Sequence, residues 1–250
     1  MTKCNKLFFV LTVAIVFYPI QNFAQEIQID HIISVFPDLD KTIRDYENIG
    51  FSVKKGFLHK NGLLNAHIKF SNNSYYELMS VQGEPKDTLA KFYKANIKNG
   101  GGLFLAISGI STKKMESILT QLNQDFEVSR TNNWSYITFP ENSDLAHIFF
   151  IEYHPKLKGD LKLPTHKNGV HKINHIVIEG NDSVAAFFKK LGLKPKDTRS
   201  YSSTESIMRF ATNTGDIILL PRKKTSNRYR VKTISFGDHN GKEILKLNLQ

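Results

Sequence analysis

The chain has 250 residues, of which 40% are hydrophobic, 11% aromatic and 23% charged, and it carries a formal net charge of +11. This mix excludes a disordered polymer and supports a filled core in one compound domain or two small ones. The basic residues are scattered, with the tightest cluster at Arg222, Lys223, Lys224, Arg228 and Arg230. No zinc-finger, RNA-recognition or helix-turn-helix pattern accompanies them, so nucleic acid is not expected as a partner.

At the amino terminus, Lys3 and Lys6 precede an apolar run over 7–18, and Phe23-Ala24-Gln25 follows Pro19. A basic end, a short greasy core and a small residue before a cut is the order of a bacterial secretory signal. The run is too short for a confident membrane span. We expect a signal over 1–24 and a periplasmic or secreted mature protein that does not stay in the membrane; the alternative is an uncleaved anchor. Cys4 is the only cysteine and leaves with the signal. Thiol catalysis and disulfides are then excluded.

Residues 27–36 read as a strand with Ile29, His31, Ile33 and Val35 on one face and Asp30, Ile32 and Ser34 on the other. Asp38 follows Pro37 as an N-cap, and Leu39, Ile43 and Tyr46 recur at helical spacing. Gly50 ends this helix. Strands follow from Phe51, over 63–70 and over 75–81, with a tight turn at 71–74 between the last two. A β-α-β-β-β module thus occupies 27–82, and 84–98 is a polar helix or connection.

Gly100, Gly101 and Gly102 open a strand rather than a helix, so a hinge or tight turn is expected there and not a phosphate loop. Ser111 or Thr112 caps a helix through Leu122, and strands at 136–139 and 147–153 complete a second module over 100–155. A stretch rich in Lys, Gly and Pro over 156–170 reads as a connector. A third copy begins at Ile173, with a helix capped by Asp182 and ended by Gly192, then strands over 207–211 and 216–220. The strands over 231–236 and 243–249 look like a fourth copy without its helix. The span 171–250 is therefore a degenerate second pair of modules.

Other catalytic signatures are missing: there is no Gly-x-Ser-x-Gly elbow, phosphate-binding Gly-Lys-Ser/Thr, His-Glu-x-x-His or dinucleotide fingerprint. In their order and spacing, Asp30-His31-Ile32, Pro37-Asp38-Leu39-Asp40, Gly50-Phe51, the strand start at Asn65 and Tyr75-Tyr76-Glu77-Leu78 resemble the glyoxalase-like branch of the vicinal oxygen chelate superfamily. The second module matches at Phe149-Phe150-Ile151-Glu152-Tyr153-His154. The resemblance covers 27–155 well and 175–220 more weakly. It implies an α+β fold of the glyoxalase/bleomycin-resistance/dioxygenase type, in which repeated βαβββ modules form mixed sheets that curl into cups around a small-molecule ligand.

In such proteins the first and last strands of each module send one metal ligand inward. The resemblance therefore implies His31, Glu77 and Glu152 as ligands for a divalent ion (Zn, Fe, Mn or Ni), with Phe104 standing where a second histidine is wanted. Glu77 or Glu152 would also act as a general base in a lyase, isomerase or dioxygenase acting on a small oxygenated substrate. His67, Tyr75 and Asn65 would line the cup. In the third module His175 is present, but Ile218 aligns with Glu77. Glu152 lies among apolar neighbours and needs a basic side chain, a metal or a ligand to satisfy it. The alternative function is a metal-free binding protein of the same fold that sequesters a small molecule. The missing second histidine argues for binding, and the two glutamates argue for chemistry. Whether the modules pair within one chain or across a homodimer stays open.

Overall fold

A computed structural model describes residues 27–98, 101–154, 163–197, 207–221 and 231–249. The expected signal, the basic cluster over 222–230 and the first half of the connector lie outside these residues. The first module comprises β1 (Gln28–Val35), α1 (Leu39–Asn48), β2 (Lys54–Leu58), β3 (Leu63–Lys69) and β4 (Tyr75–Val81). Helix α2 (Thr88–Ile97) leads to the second module: β5 (Gly101–Ser108), α3 (Thr112–Gln121), β6 (Glu127–Arg130), β7 (Trp134–Thr138) and β8 (Ile148–Tyr153). The third has β9 (Lys172–Gly180), α4 (Asp182–Lys190), β10 (Pro195–Asp197), β11 (Met208–Ala211) and β12 (Asp216–Pro221). The fourth keeps β13 (Val231–Gly237) and β14 (Glu243–Asn248) and, among the described residues, no helix.

Local chemistry accounts for the helix ends. The side chain of Asp38 accepts the N–H of Lys41 at 2.8 Å, and that of Asp87 accepts the N–H of Ala90 at 2.7 Å. The cap of α4 is Asn181, one residue before the expected Asp182, and Asp182 instead supplies the acidic first turn. Gly50 ends α1 at φ +90°, a backbone conformation that a side chain disfavours. Composition does not announce β6 or β10. Both are three or four residues long, and their pairing with longer neighbours, not their own pattern, makes them strands.

Each module pair is built around two antiparallel strands. β1 pairs antiparallel with β5, and each takes its own module's last strand, β4 or β8, in parallel on its other side. β9 and β13 repeat the centre, with β12 parallel to β9. Among the described residues, the two pairs join into one sheet through one ladder pair, Val231 opposite Gly102. A Cβ at Gly102 would fall 2.4 Å from the carbonyl oxygen of Val231, so the glycine run marks a close backbone approach at the opening of β5.

The helix-bearing faces of both pairs share one core. Phe236 of β13 packs against Phe51, Phe70 and Tyr76 of the first module, with ring centroids 5.3, 5.4 and 6.4 Å away. Phe187 of α4 meets Phe150 of β8 at 5.8 Å. The connector is fastened by the buried His166, whose Nδ1 accepts the N–H of Ser52 and whose Nε2–H donates to the carbonyl of Lys69, each at 3.0 Å. Burial holds this imidazole below its usual pKa of 6.5, as its acceptor role requires.

The opposite, concave face of the first pair carries a second apolar cluster that includes Ile33, Val35, Met79 and Leu103. Ala90 and Tyr93 of α2 are buried against it. The segment expected as a polar helix or connection thus closes part of the cup. No helix among the described residues is long and apolar enough to cross a membrane.

Because Phe236 ties both halves to one core, Phe236→Ala is expected to cost about 3–5 kcal/mol, the range for large aromatic truncations in a packed interior. Denaturant titration followed by fluorescence and circular dichroism should show one coincident transition moved to lower denaturant. Two separated transitions would show that the halves are independent.

Candidate functional site

The site starts from an irregularity in β1. Its register against β5 shifts between Ile29 and His31. Ile29 therefore joins Ile32 in the shared core, while Asp30 stays beside His31. The strict alternation expected for this strand fails at that one step, and Asp30 becomes a site residue.

His31 is 3% exposed and bridges two carboxylates. Its Nδ1 is 2.7 Å from Oδ1 of Asp30, and its Nε2 is 3.7 Å from Oε2 of Glu77. The ring stacks on Tyr75 at 4.2 Å and meets the edge of Phe149 at 5.4 Å. Asp30 also accepts the hydroxyl of Tyr153 at 3.0 Å. Glu77 accepts the side-chain N–H of Asn65 at 3.0 Å, and His67 Nε2 lies 3.4 Å from the same oxygen. The structure thus brings together five of the expected residues: His31, Asn65, His67, Tyr75 and Glu77.

Burial alone would raise the pKa of Glu77. The hydrogen bond from His67, the charge of His31 and the hydrogen bond from Asn65 outweigh it, and the net effect is a pKa below the ordinary 4.5. The tyrosines move the other way. Burial, then the charge of Glu77, pushes Tyr136 up to about 12 and Tyr75 and Tyr93 well above 10. Tyr153 is raised by burial and then by Asp30. The concave face therefore presents protonated phenols around a carboxylate that is ionised at neutral pH.

Glu152 does not join them. The near two-fold symmetry of the first pair exchanges the partners His31–Ala106 and Phe104–Ile33, so Phe104 is the counterpart of His31, as expected. Ile33 pairs with Glu77 on β4, and Ala106 pairs with Phe149 on β8. The counterpart of Glu77 is therefore Phe149. Glu152 shares its side of β8 with Ile148 and Phe150, towards the helices, and its Oε2 accepts the N–H of Thr112 at 2.7 Å. Neither a metal nor a basic side chain is needed to explain this acid, because the first turn of α3 supplies an unpaired N–H and a favourable dipole.

Of the four inward positions of the first pair, two hold His31 and Glu77 and two hold phenylalanine. In the second pair His175 lies opposite Asp216 and Ser235, and the position of Glu77 is taken by Ile218. Among the described residues, no group of three or more His, Cys, Asp or Glu side chains is arranged to hold a metal ion. The donor set therefore does not fit the divalent ion that the resemblance implies, and the triad His31, Glu77 and Glu152 is not assembled.

Two cavities flank this network. One, of about 910 Å³, is bordered by Asp30, Tyr75 and Tyr153 together with Lys69, Ser74 and Ser108 at the ends of the strands. The other, of about 600 Å³, lies beneath α2 and is lined by Phe92, Phe104 and Phe149. Asp30, Tyr153, Phe149 and the residues of α2 are the parts of the site that sequence reasoning does not pick out. For Asp30 the adjacent Asp-His pair is the available signal, and the alternation rule hides it.

The model of a family described as "Glyoxalase-like domain" matches residues 29–192. No curated protein matches. Among solved structures, a hypothetical protein from Staphylococcus aureus is similar over 79% of this chain and 86% of its own, with a TM-score of 0.59 and 13% identity. A xylose isomerase-like TIM barrel/4-hydroxyphenylpyruvate dioxygenase fusion protein is similar over 83% of this chain and 35% of its own, with a TM-score of 0.57 and 14% identity. At such identities these likenesses establish the fold alone.

The depressed pKa of Glu77 makes stability depend on acid. Its contribution is fully present above the unfolded-state pKa and is lost as pH falls through the lower folded-state value. Melting curves from pH 6 to pH 2.5 should therefore show a shallower acid fall for Glu77→Gln than for the parent. Superimposable slopes would mean that Glu77 is not held ionised.

Proposed function

The chain belongs to the glyoxalase-like domain family, and on that premise we propose that the concave face of its first module pair binds a small organic molecule without a metal ion. One observation carries this reading: Phe104 and Phe149 occupy the two inward positions that mirror His31 and Glu77. Phenylalanines at those places supply apolar contact area where a chelating site needs donor atoms. Cavities of about 910 and 600 Å³ are in the range of small-molecule pockets. Apolar walls with a few fixed polar groups suit recognition by shape and hydrogen bonding. The phenols of Tyr75 and Tyr153, which border the larger cavity, are polar groups available for orientation.

Export belongs to the same proposal. A signal over 1–24 would deliver the protein to the periplasm or the exterior, where a cysteine-free binder needs no reducing compartment.

A second reading, proton transfer, is favoured by Glu77 itself. A buried carboxylate kept ionised beside an imidazole is suited to act as a general base on an oxygenated substrate. Here the chain supplies the base, Glu77, and the groups that hold it charged, His67, His31 and Asn65.

Screening a small-molecule panel by thermal shift, on protein dialysed against EDTA and on undialysed protein, tests the leading reading. A ligand at a hundredfold excess over its Kd adds about 2.7 kcal/mol of stability. That stabilisation is expected to be equal in the two preparations. Stoichiometric zinc, iron, manganese or nickel in the undialysed protein, with ligand stabilisation lost on chelation, would overturn it. For proton transfer, solvent-deuterium exchange into a bound ligand, followed by NMR, should occur with the parent and stop with Glu77→Gln while the thermal shift persists. Exchange that survives the substitution would remove Glu77 from that role.

A further inference from the structure

The segment 163–171 leads from the second module to the third, and it is tied to the first module at two places. At the end of α1, the side chain of Asn168 donates to the carbonyl of Ile49 at 2.9 Å, and its backbone N–H donates to the carbonyl of Gly50 at 3.3 Å. At the turn between β3 and β4, the N–H and the hydroxyl of Ser71 donate to the carbonyl of His171, at 3.0 and 2.9 Å. That turn borders the 910 Å³ cavity through Asn72, Asn73 and Ser74.

His166 joins the same two places, and its partners leave it one protonation state. The N–H of Ser52 needs a lone pair on Nδ1, and the carbonyl of Lys69 needs a hydrogen on Nε2. A second ring proton would set one N–H against another at Ser52. Ser52 is exposed, so once released its N–H can turn to water. The elements around the ring offer the new charge no partner. The link between α1 and β2 presents Phe51 and the N–H of Ser52. The end of β3 presents Phe70 and the carbonyl of Lys69, whose own side chain borders the larger cavity. Its own segment presents His171, whose charge disfavours a proton on it, and Lys167 beside it is exposed.

We propose that His166 is an acid-released latch: its protonation frees residues 163–168 from the first module and loosens the rim of the larger cavity at 69–74. The latch acts on that rim whatever molecule the cavity takes. Burial holds this imidazole below 6.5, so its contribution is fully present above that pH. The contribution is lost as pH falls from 6.5 through the lower folded-state value. Val170 is buried in the shared core and does not titrate, so the far end of the segment stays anchored while the latch opens.

Hydrogen exchange of the full chain, read by mass spectrometry from pH 7.5 to pH 5 and corrected for the intrinsic pH dependence of exchange, tests this. In the parent, amides over 49–52, 69–74 and 163–171 are expected to lose protection by about tenfold per pH unit below 6.5, until the folded-state pKa is reached. Those of β1 and β5 should keep theirs. His166→Gln and His166→Phe remove the titrating group, the first while keeping a donor and an acceptor. In both, corrected protection of the same amides should be constant with pH, at whatever level each variant sets. His171→Gln removes the other histidine of the segment and should leave the pH dependence in place. Flat protection in the parent, a pH dependence that survives in the His166 variants, or one abolished by His171→Gln would overturn the proposal. Loss in β1 and β5 in step with 163–171 would do the same, because the acid event would then be global.

Discussion

The structure depends on one packing constraint: both module pairs have an apolar, helix-bearing face, and each buries it against the other. Phe51, Phe70, Tyr76 and Phe236 form one aromatic junction across the halves, and Phe139, Phe150 and Phe187 form another. Each large ring removes of order 150–250 Å² from water, so these junctions outweigh the one described ladder pair at Gly102 and Val231 and the few backbone hydrogen bonds, such as Asn213 N–H to the carbonyl of Ile27, in joining the pairs. Their consequence is directional. With the helix faces used up in the shared core, the concave faces point away from each other, and each is free to differ.

They do differ. The first pair keeps both complete modules and adds α2, which buries Ala90 and Tyr93 inside the cup. The second pair has a fourth copy reduced to two strands, and its concave side carries local ion pairs and hydrogen bonds: Arg209 with Asp216, Lys232 with Glu179, and Ser235 with Glu243. Partly exposed pairs of this kind add little stability individually. The second pair thus supplies the other half of the core, and the acid–imidazole network lies in the first.

The fold was readable because it is written in repeated periodicities. Capped helices directly follow the first strand in three modules, and Asp38, Ser111 and Asn181 mark each start. The site was readable in part. His31 and Glu77 stand where a strand's parity puts them, and Asn65 and His67 share the neighbouring strand's inward face. Two things were hidden. The bulge at Ile29–His31 is a register event set by β5, and nothing local in Gln28 to Ile32 encodes it. On β8, six consecutive residues are apolar or aromatic except Glu152, so the only acid in the strand draws the eye. The inward position is instead fixed by pairing with Ala106, which a single strand's sequence does not contain.

The retained half of the inward set has a physical explanation that needs no metal. Glu77 on a buried face would be costly if isolated, since an uncompensated buried charge is worth several kcal/mol of instability. Here Asn65 and His67 approach one oxygen and His31 the other, and Asp30 holds His31 from its far side. Removing any one of these leaves the others with an unpaired polar group, so the cluster stands or falls as a unit. Phe104 and Phe149 have no such dependence on a partner. They exchange a demand for donor geometry for dispersion contact with Phe92 and Tyr136. The symmetric cup has become asymmetric. One side is a self-satisfied acid–imidazole network, the other is an aromatic wall, and Phe149 touches both.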